Sequence, residues 1–125
     1  MPLRWGDMDA FGHINNTNFF RYMEQARIEW LEQAVPYHDQ ASGTGPVIVN
    51  AHMSFLKQLR YPGQIVCLTF AGQPGRSSIE TRFELRRSDA PDTLVAEGGA
   101  KVVWVDHALA RSTPLPALLR ALAGG

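Results

Sequence analysis

The chain has a single cysteine, no excess of charge of either sign and no long apolar run, and each shortage removes a class of protein from consideration. Cys67 alone cannot close an internal disulfide or build a zinc cluster of thiolates. Nothing therefore implies an oxidising compartment, and a cytoplasmic location is the expectation. Inside its apolar run Cys67 reads first as a packed thiol and only second as a nucleophile. Lys plus Arg and Asp plus Glu number 12 each. That balance lacks the basic excess behind sequence-independent nucleic-acid binding, so no nucleic-acid partner is expected. No apolar stretch approaches the ~18 residues that span a bilayer, and the N-terminus lacks the charged and apolar regions of a signal peptide, so no membrane span is expected. What is present is the profile of a globular protein: 125 residues with 45% hydrophobic and 19% charged. That length suits one domain over 1–125, with mass for a core and none for a second.

The first long periodic segment predicts a helix over Asn18–Gln33. Phe19, Met23, Ala26 and Trp30 recur at helical spacing and form one apolar stripe. Arg21, Glu24, Gln25, Glu29 and Glu32 fall mostly away from it, with Arg21 and Glu24, or Glu24 and Arg27, at the i, i+3 spacing of helical ion pairs. Asn15, Asn16 and Thr17 supply capping side chains at its start, and Pro36 ends the pattern. Beyond Gly45 four runs rich in branched and aromatic residues predict strands, at about 46–56, 64–71, 77–87 and 93–105. The third alternates most clearly: Ser77, Ile79, Thr81, Phe83 and Leu85 on one side, Ser78, Glu80, Arg82, Glu84 and Arg86 on the other, so one face is wet. Turn signals separate the runs at Tyr61-Pro62-Gly63, Gln73-Pro74-Gly75 and Ala90-Pro91-Asp92, and residues 114–123 suit a short terminal helix. A long amphipathic helix followed by an antiparallel meander predicts a sheet curled around that helix. Edge strands then stay open, which favours a homo-oligomer over a monomer.

Chemistry concentrates immediately before the helix. Asp7-Met-Asp9-Ala-Phe-Gly-His13-Ile-Asn-Asn16 gathers two carboxylates, an imidazole and two amides within ten residues. The first turn of a helix presents unpaired backbone N–H groups and the positive end of the dipole, a cradle for a developing oxyanion. A carboxylate ahead of it can attack a carbonyl or activate water. Other readings stand beside this one. Asp9 can form an Asx turn or cap, and Asp7 can perturb Asp9 or sit in solvent. His13 can order the loop, assist the carboxylate, or join Asp7 and Asp9 at a metal; His38, His52 and His107 show no paired ligand spacing. Phe19, Met23 and Trp30 read as core, with the start of the helix also able to line an acyl pocket. Asn50 and His52 share a strand face and read as interface hydrogen bonds or as contacts to a ligand of a neighbouring subunit.

Over Arg4–Trp30 the chain closely resembles the hot-dog thioesterases of the 4-hydroxybenzoyl-CoA thioesterase group and their relatives acting on long-chain acyl-CoA or acyl-carrier protein. The likeness is carried by an Asp, a variable pair, Gly12-His-Ile-Asn-Asn16, then Asn18-Phe19 and Glu24-Gln-Ala-Arg27. Elsewhere it rests on strand order. The resemblance implies an α+β hot-dog fold, an antiparallel sheet wrapped around one long helix, and an acyl-CoA substrate cleaved without a cofactor by a homodimer or homotetramer. It implies Asp9 as nucleophile or general base, the backbone N–H of Asn16 as the group that polarises the thioester carbonyl, and His13 as an assisting residue. Relatives that use this histidine most fully pair it with an asparagine where this chain has Phe11. The family also opens with a longer strand than the five residues Met1–Trp5 that precede the motif here. In Pro74-Gly-Arg76-Ser77-Ser78, Arg76 and Ser77 stand where relatives hold the CoA nucleotide phosphates; one arginine in a turn reads equally as a solvated side chain. Two rivals keep the same pocket: an enoyl-thioester hydratase or dehydratase on this fold, and a non-catalytic acyl-thioester binder.

Overall fold

The computed structural model describes residues 1–33 and 43–123. Pro36 and His38 lie outside the described residues. The helix α1 runs over Asn16–Glu32, two residues earlier than its apolar stripe suggests, because Asn15 rather than a later residue is the N-cap. The Asn15 side chain accepts from the Thr17 backbone N–H at 2.9 Å and from the Thr17 hydroxyl at 2.7 Å, satisfying one of the orphan donors of the first turn. Four longer strands follow, β1 (Thr44–Phe55), β2 (Ile65–Ala71), β3 (Ser78–Arg87) and β4 (Ala90–Asp106), then a short β5 (Arg111–Ser112) and a terminal helix α2 (Ala117–Leu122).

All neighbouring strands are antiparallel, in the order β1-β4-β3-β2, with β5 added to β4. The alternation read from β3 holds: Ile79, Thr81, Phe83 and Leu85 are buried, while Glu80 and Arg82 are exposed and Glu84 is half-buried. Against that buried face α1 packs Phe19, Tyr22, Met23 and Ala26, which join Leu59, Ile65, Phe83, Leu85, Val95 and Ala96 in one cluster. A second cluster under the end of α1 gathers Leu31, Ile79, Val102, Trp104, Leu115 and Leu119. The sheet thus wraps one long helix, as the hot-dog resemblance implies, because each needs the other's apolar face.

The structure corrects details of the sequence reading. Tyr22 and Leu31 also belong to the buried stripe, and Trp30, half-buried, packs against the second cluster; α1 presents a face wider than a single row of positions. Arg27 is buried as well, without an ion pair to Glu24 and with Nη1 lacking a hydrogen-bond partner among the described residues. Burial pushes its guanidinium down from the ordinary arginine range, against the opposing charge of Glu24. The turn expected at Ala90-Pro91-Asp92 lies earlier, at Ser88-Asp89, with Ala90 already paired to Arg87. The Arg87 guanidinium bonds both Asp89 oxygens, at 2.8 and 3.0 Å, and closes this two-residue connection. Pro91 falls at the margin of β4, where a missing N–H costs little.

Candidate active site

The loop between Arg4 and Asn15 is held on three sides. A 3-10 turn over Trp5–Asp7 opens it. The Asp7 carboxylate accepts from the Tyr22 hydroxyl at 2.8 Å, and its backbone carbonyl accepts from Asn15 N–H at 2.9 Å and from Asn18 Nδ2 at 2.8 Å. Desolvation, then the hydrogen bond and charge of Asp7, push the Tyr22 hydroxyl above the usual tyrosine range, so it stays a donor. Asp7 is thereby an anchor tying the loop to α1. On the far side, Ile14 is buried and its N–H donates to the carbonyl of buried Leu59 at 2.7 Å, fastening the loop to the segment between β1 and β2.

Asp9 sits at the tip. Its N–H donates to the His13 carbonyl at 3.0 Å and its carbonyl accepts from Gly12 N–H at 3.0 Å. Gly12 takes a φ of +78°, a conformation that side chains rarely adopt. Asp9 Oδ1 accepts from Phe11 N–H at 2.9 Å. The Asx turn that competes with the catalytic reading is therefore present, and it uses one oxygen only. Oδ2 has no protein hydrogen bond among the described residues. The first turn of α1 shows the same economy. Thr17 N–H is capped by the Asn15 side chain and Asn18 N–H donates to the Asn15 carbonyl at 2.9 Å, while Asn16 N–H has no acceptor among the described residues.

Asp9, His13 and Asn16 line one cavity of about 370 Å³, completed by Phe11, Phe19, Phe55, Leu56 and Lys57 among others. Phe55 packs on Phe19 with ring centroids 5.3 Å apart, so two of the aromatic side chains lining the cavity support each other, and Phe20 meets Phe55 edge-on at 6.2 Å. The two residues that carry an oxygen and an N–H without a partner among the described residues, Asp9 and Asn16, thus line the same partly apolar hollow. His13 Nε2 lies 3.0 Å from Arg60 Nη2. Among the described residues no three His, Cys, Asp or Glu side chains are placed to hold one metal ion.

Arg76 and Ser77 lie elsewhere. Phe55, beside the cavity, aligns with Ala96 and Leu85, whereas Ser78, next to Arg76 and Ser77, aligns with Val103. Leu85 and Ser78 stand seven positions apart on β3, about 23 Å of strand. Arg76 is exposed and shares a cleft with Asp106 and Arg111, and its carbonyl is bound to α2 through Arg120 Nη2 at 3.2 Å. Asn50 and His52 project from β1 opposite Lys101 and Gly99, both exposed. Cys67 packs against the core cluster, and burial pushes its thiol up to about 12, which leaves it a packing group. Sequence reasoning missed Tyr22 and Arg60, and had Asn18 only as a residue of the family motif. Tyr22 was legible, since it falls at i+3 from Phe19 on the stripe; Arg60, 47 residues from His13, carried no local signal.

Residues 3–122 match the family model of the thioesterase-like superfamily. Among solved structures, a candidate thioesterase of Pseudomonas aeruginosa (the PA2801 protein) is 39% identical, with a TM-score of 0.89 over 97% of this chain and 92% of that one. A 1,4-dihydroxy-2-naphthoyl-CoA thioesterase of Synechocystis superposes with a TM-score of 0.89 at 14% identity, over 99% and 92% of the two chains. A Staphylococcus aureus protein solved in complex with CoA gives 0.91 at 10% identity, over 99% and 78%. No curated protein sequence matches the chain. A match over nearly the whole chain, joined to the sheet-wrapped helix and the motif ahead of it, makes this protein a member of the thioesterase-like superfamily, a thioester hydrolase of the hot-dog fold.

Proposed function

We propose that the chain, as one hot-dog domain, hydrolyses an acyl-CoA to the free acid and CoA, with Asp9 as nucleophile or general base and the Asn16 backbone N–H polarising the thioester carbonyl. The observation that carries this is that Asp9 and Asn16 line one cavity while Asp9 Oδ2 and Asn16 N–H have no partner among the described residues. A carbonyl oxygen placed on that N–H, at the positive end of α1, develops its negative charge against a preorganised donor. Thioesters are activated enough for a carboxylate and such donors to suffice, so no cofactor enters the reaction. The CoA-bound Staphylococcus aureus neighbour and the naphthoyl-CoA thioesterase of Synechocystis are consistent with CoA as the carrier. Among the described residues no helix is long and apolar enough to cross a membrane. Release of free thiol across a panel of acyl-CoA lengths tests the reading: hydrolysis yields CoA thiol and free acid, a hydratase alters the acyl group without releasing thiol, and a binder does neither.

We also propose that Arg76, with Ser77 beside it, serves this site from a second copy of the chain. Within one chain Arg76 lies at the opposite end of the sheet from Asp9. The free edge of β1, with Val47, Val49 and Phe55 exposed, suits pairing with its own copy. Two-fold pairing of one edge strand is antiparallel, so the Thr44 end of one copy lies beside the Phe55 end of the other, bringing Arg76 of one toward Asp9 of the other. The expected mass in solution is two or four chains. Arg76→Ala is expected to raise KM for acyl-CoA about 5-fold to 30-fold with kcat nearly unchanged, about 1–2 kcal/mol for a charge-assisted phosphate contact. An acyl thioester of N-acetylcysteamine, which lacks the phosphates, should be unaffected. Equal loss on both substrates would make Arg76 structural, and a fully active monomer would remove the second copy from the site.

A further inference from the structure

His13 lies on the cavity wall and Arg60 closes over its far nitrogen, 3.0 Å from Nη2 to Nε2. A guanidinium carries only donors and is not deprotonated in proteins. The ring nitrogen it meets must therefore be an acceptor, which puts the single ring proton on Nδ1. Nδ1 has no hydrogen-bond partner among the described residues. The contact is not an isolated surface encounter. One residue on from His13, Ile14 N–H is bonded to the carbonyl of Leu59, one residue before Arg60, at 2.7 Å, so the two side chains are brought together by paired backbones. The Arg60 carbonyl in turn accepts from Arg87 Nη1 at 3.0 Å, fixing that segment to the end of β3. The charged groups that face His13 in the cavity are Asp9 and Lys57; the Asp7 carboxylate is committed to Tyr22.

We propose that Arg60 is a positioning residue that holds His13 as the neutral Nδ1–H tautomer, so that His13 offers the cavity a hydrogen-bond donor beside Asn16 N–H. This rests on the hydrolase reading above and narrows it. With Nε2 occupied, His13 has no free lone pair with which to take a proton from water or from the Asp9 carboxyl. It serves the thioester oxygen as a donor and leaves base chemistry to Asp9. Because the guanidinium belongs to a segment 47 residues away, the state of the ring depends on the closure of the loop against the β1–β2 connection.

The test reads the ring directly and then the rate. Two-bond proton–nitrogen spectra of protein labelled at histidine nitrogen, in mildly alkaline buffer, report which nitrogen of His13 carries the proton. The wild type is expected to show the Nδ1–H form. Arg60→Ala should convert it to the Nε2–H form that free imidazole prefers, while Arg60→Lys, which still donates, should keep it. In parallel, kcat should fall about 5-fold to 20-fold in Arg60→Ala, equally on acyl-CoA and on the N-acetylcysteamine thioester, with KM changed less than about 2-fold. Arg60→Lys should recover most of that loss. A wild-type ring in the Nε2–H form overturns the proposal, and so does an Arg60→Ala enzyme with undiminished kcat. The spectra need no turnover, so failure of the hydrolase reading, seen as absence of thiol release by the wild type, stays separate from failure of the tautomer assignment. Arg60 is exposed, and the Ile14–Leu59 backbone bond survives its truncation, so the variants are expected to melt like the wild type.

Discussion

Asp9→Asn is expected to lower kcat for acyl-CoA hydrolysis at least about 100-fold while leaving the fold and substrate affinity in place. The substitution keeps the size of the side chain and its Oδ1 acceptor, so the bond from Phe11 N–H persists and the loop tip keeps its turn. What disappears is the charge on Oδ2, the oxygen with no other partner among the described residues. An amide can neither attack the thioester carbonyl nor remove a proton from water. Steady-state thiol release measures kcat, binding of CoA to the inactive variant measures affinity, and a thermal melt confirms the fold. Turnover within 10-fold of wild type would take Asp9 out of the mechanism and return it to its Asx turn. Single turnover in water labelled with heavy oxygen then bears on the two routes that remain for the wild type: label in the Asp9 carboxyl group marks an anhydride opened by water at the Asp9 carbonyl, an outcome that general-base activation of water does not produce.

Gly98→Ala is expected to cost the fold at least about 3 kcal/mol, a fall in Tm on the order of 10 °C, and to abolish hydrolysis with it. Gly98 is buried in β4 opposite Met53 of β1. A Cβ there would stand 2.1 Å from the His52 carbonyl oxygen and 2.8 Å from Met53 Cα. Both are backbone atoms of a paired strand, so relief requires β1 to move away from β4 rather than a side chain to turn. Displacing β1 shifts Phe55 and Leu56, which line the cavity, and opens the edge on which the proposed second copy pairs. Gly6→Ala is the control, since nothing lies within 4 Å of a Cβ at that position. A Gly98→Ala protein that melts with the wild type would mean that β1 and β4 are less closely apposed than the structure has them.

The elements were legible wherever one local periodicity dominated. Alternation in β3 named its buried face, because a two-residue period leaves each side chain one of two environments. The caps before α1 and the density of polar groups around Asp9 marked the candidate site, since capping and Asx chemistry act over two or three residues. The reading fell short where a residue's surroundings come from other elements. Trp30 packs against the core as its place on the stripe suggests, but only the placement of Val102 and Leu119 decides that its neighbour Leu31 is the more fully enclosed. Pro91 looks like a turn residue, yet the Arg87–Asp89 pair closes the hairpin two residues earlier.

By itself the sequence determined the element types, the family and the motif around Asp9, all of which depend on neighbours in the chain. Tertiary structure alone decided which distant partners that motif meets. It assigned Asp7 to Tyr22, brought Arg60 onto His13, and put Arg76 at the far end of the sheet. Those outcomes follow from strand register and from how α1 lies on the sheet. Both are set by burying apolar faces on one another, and neither is encoded in the spacing of any short segment.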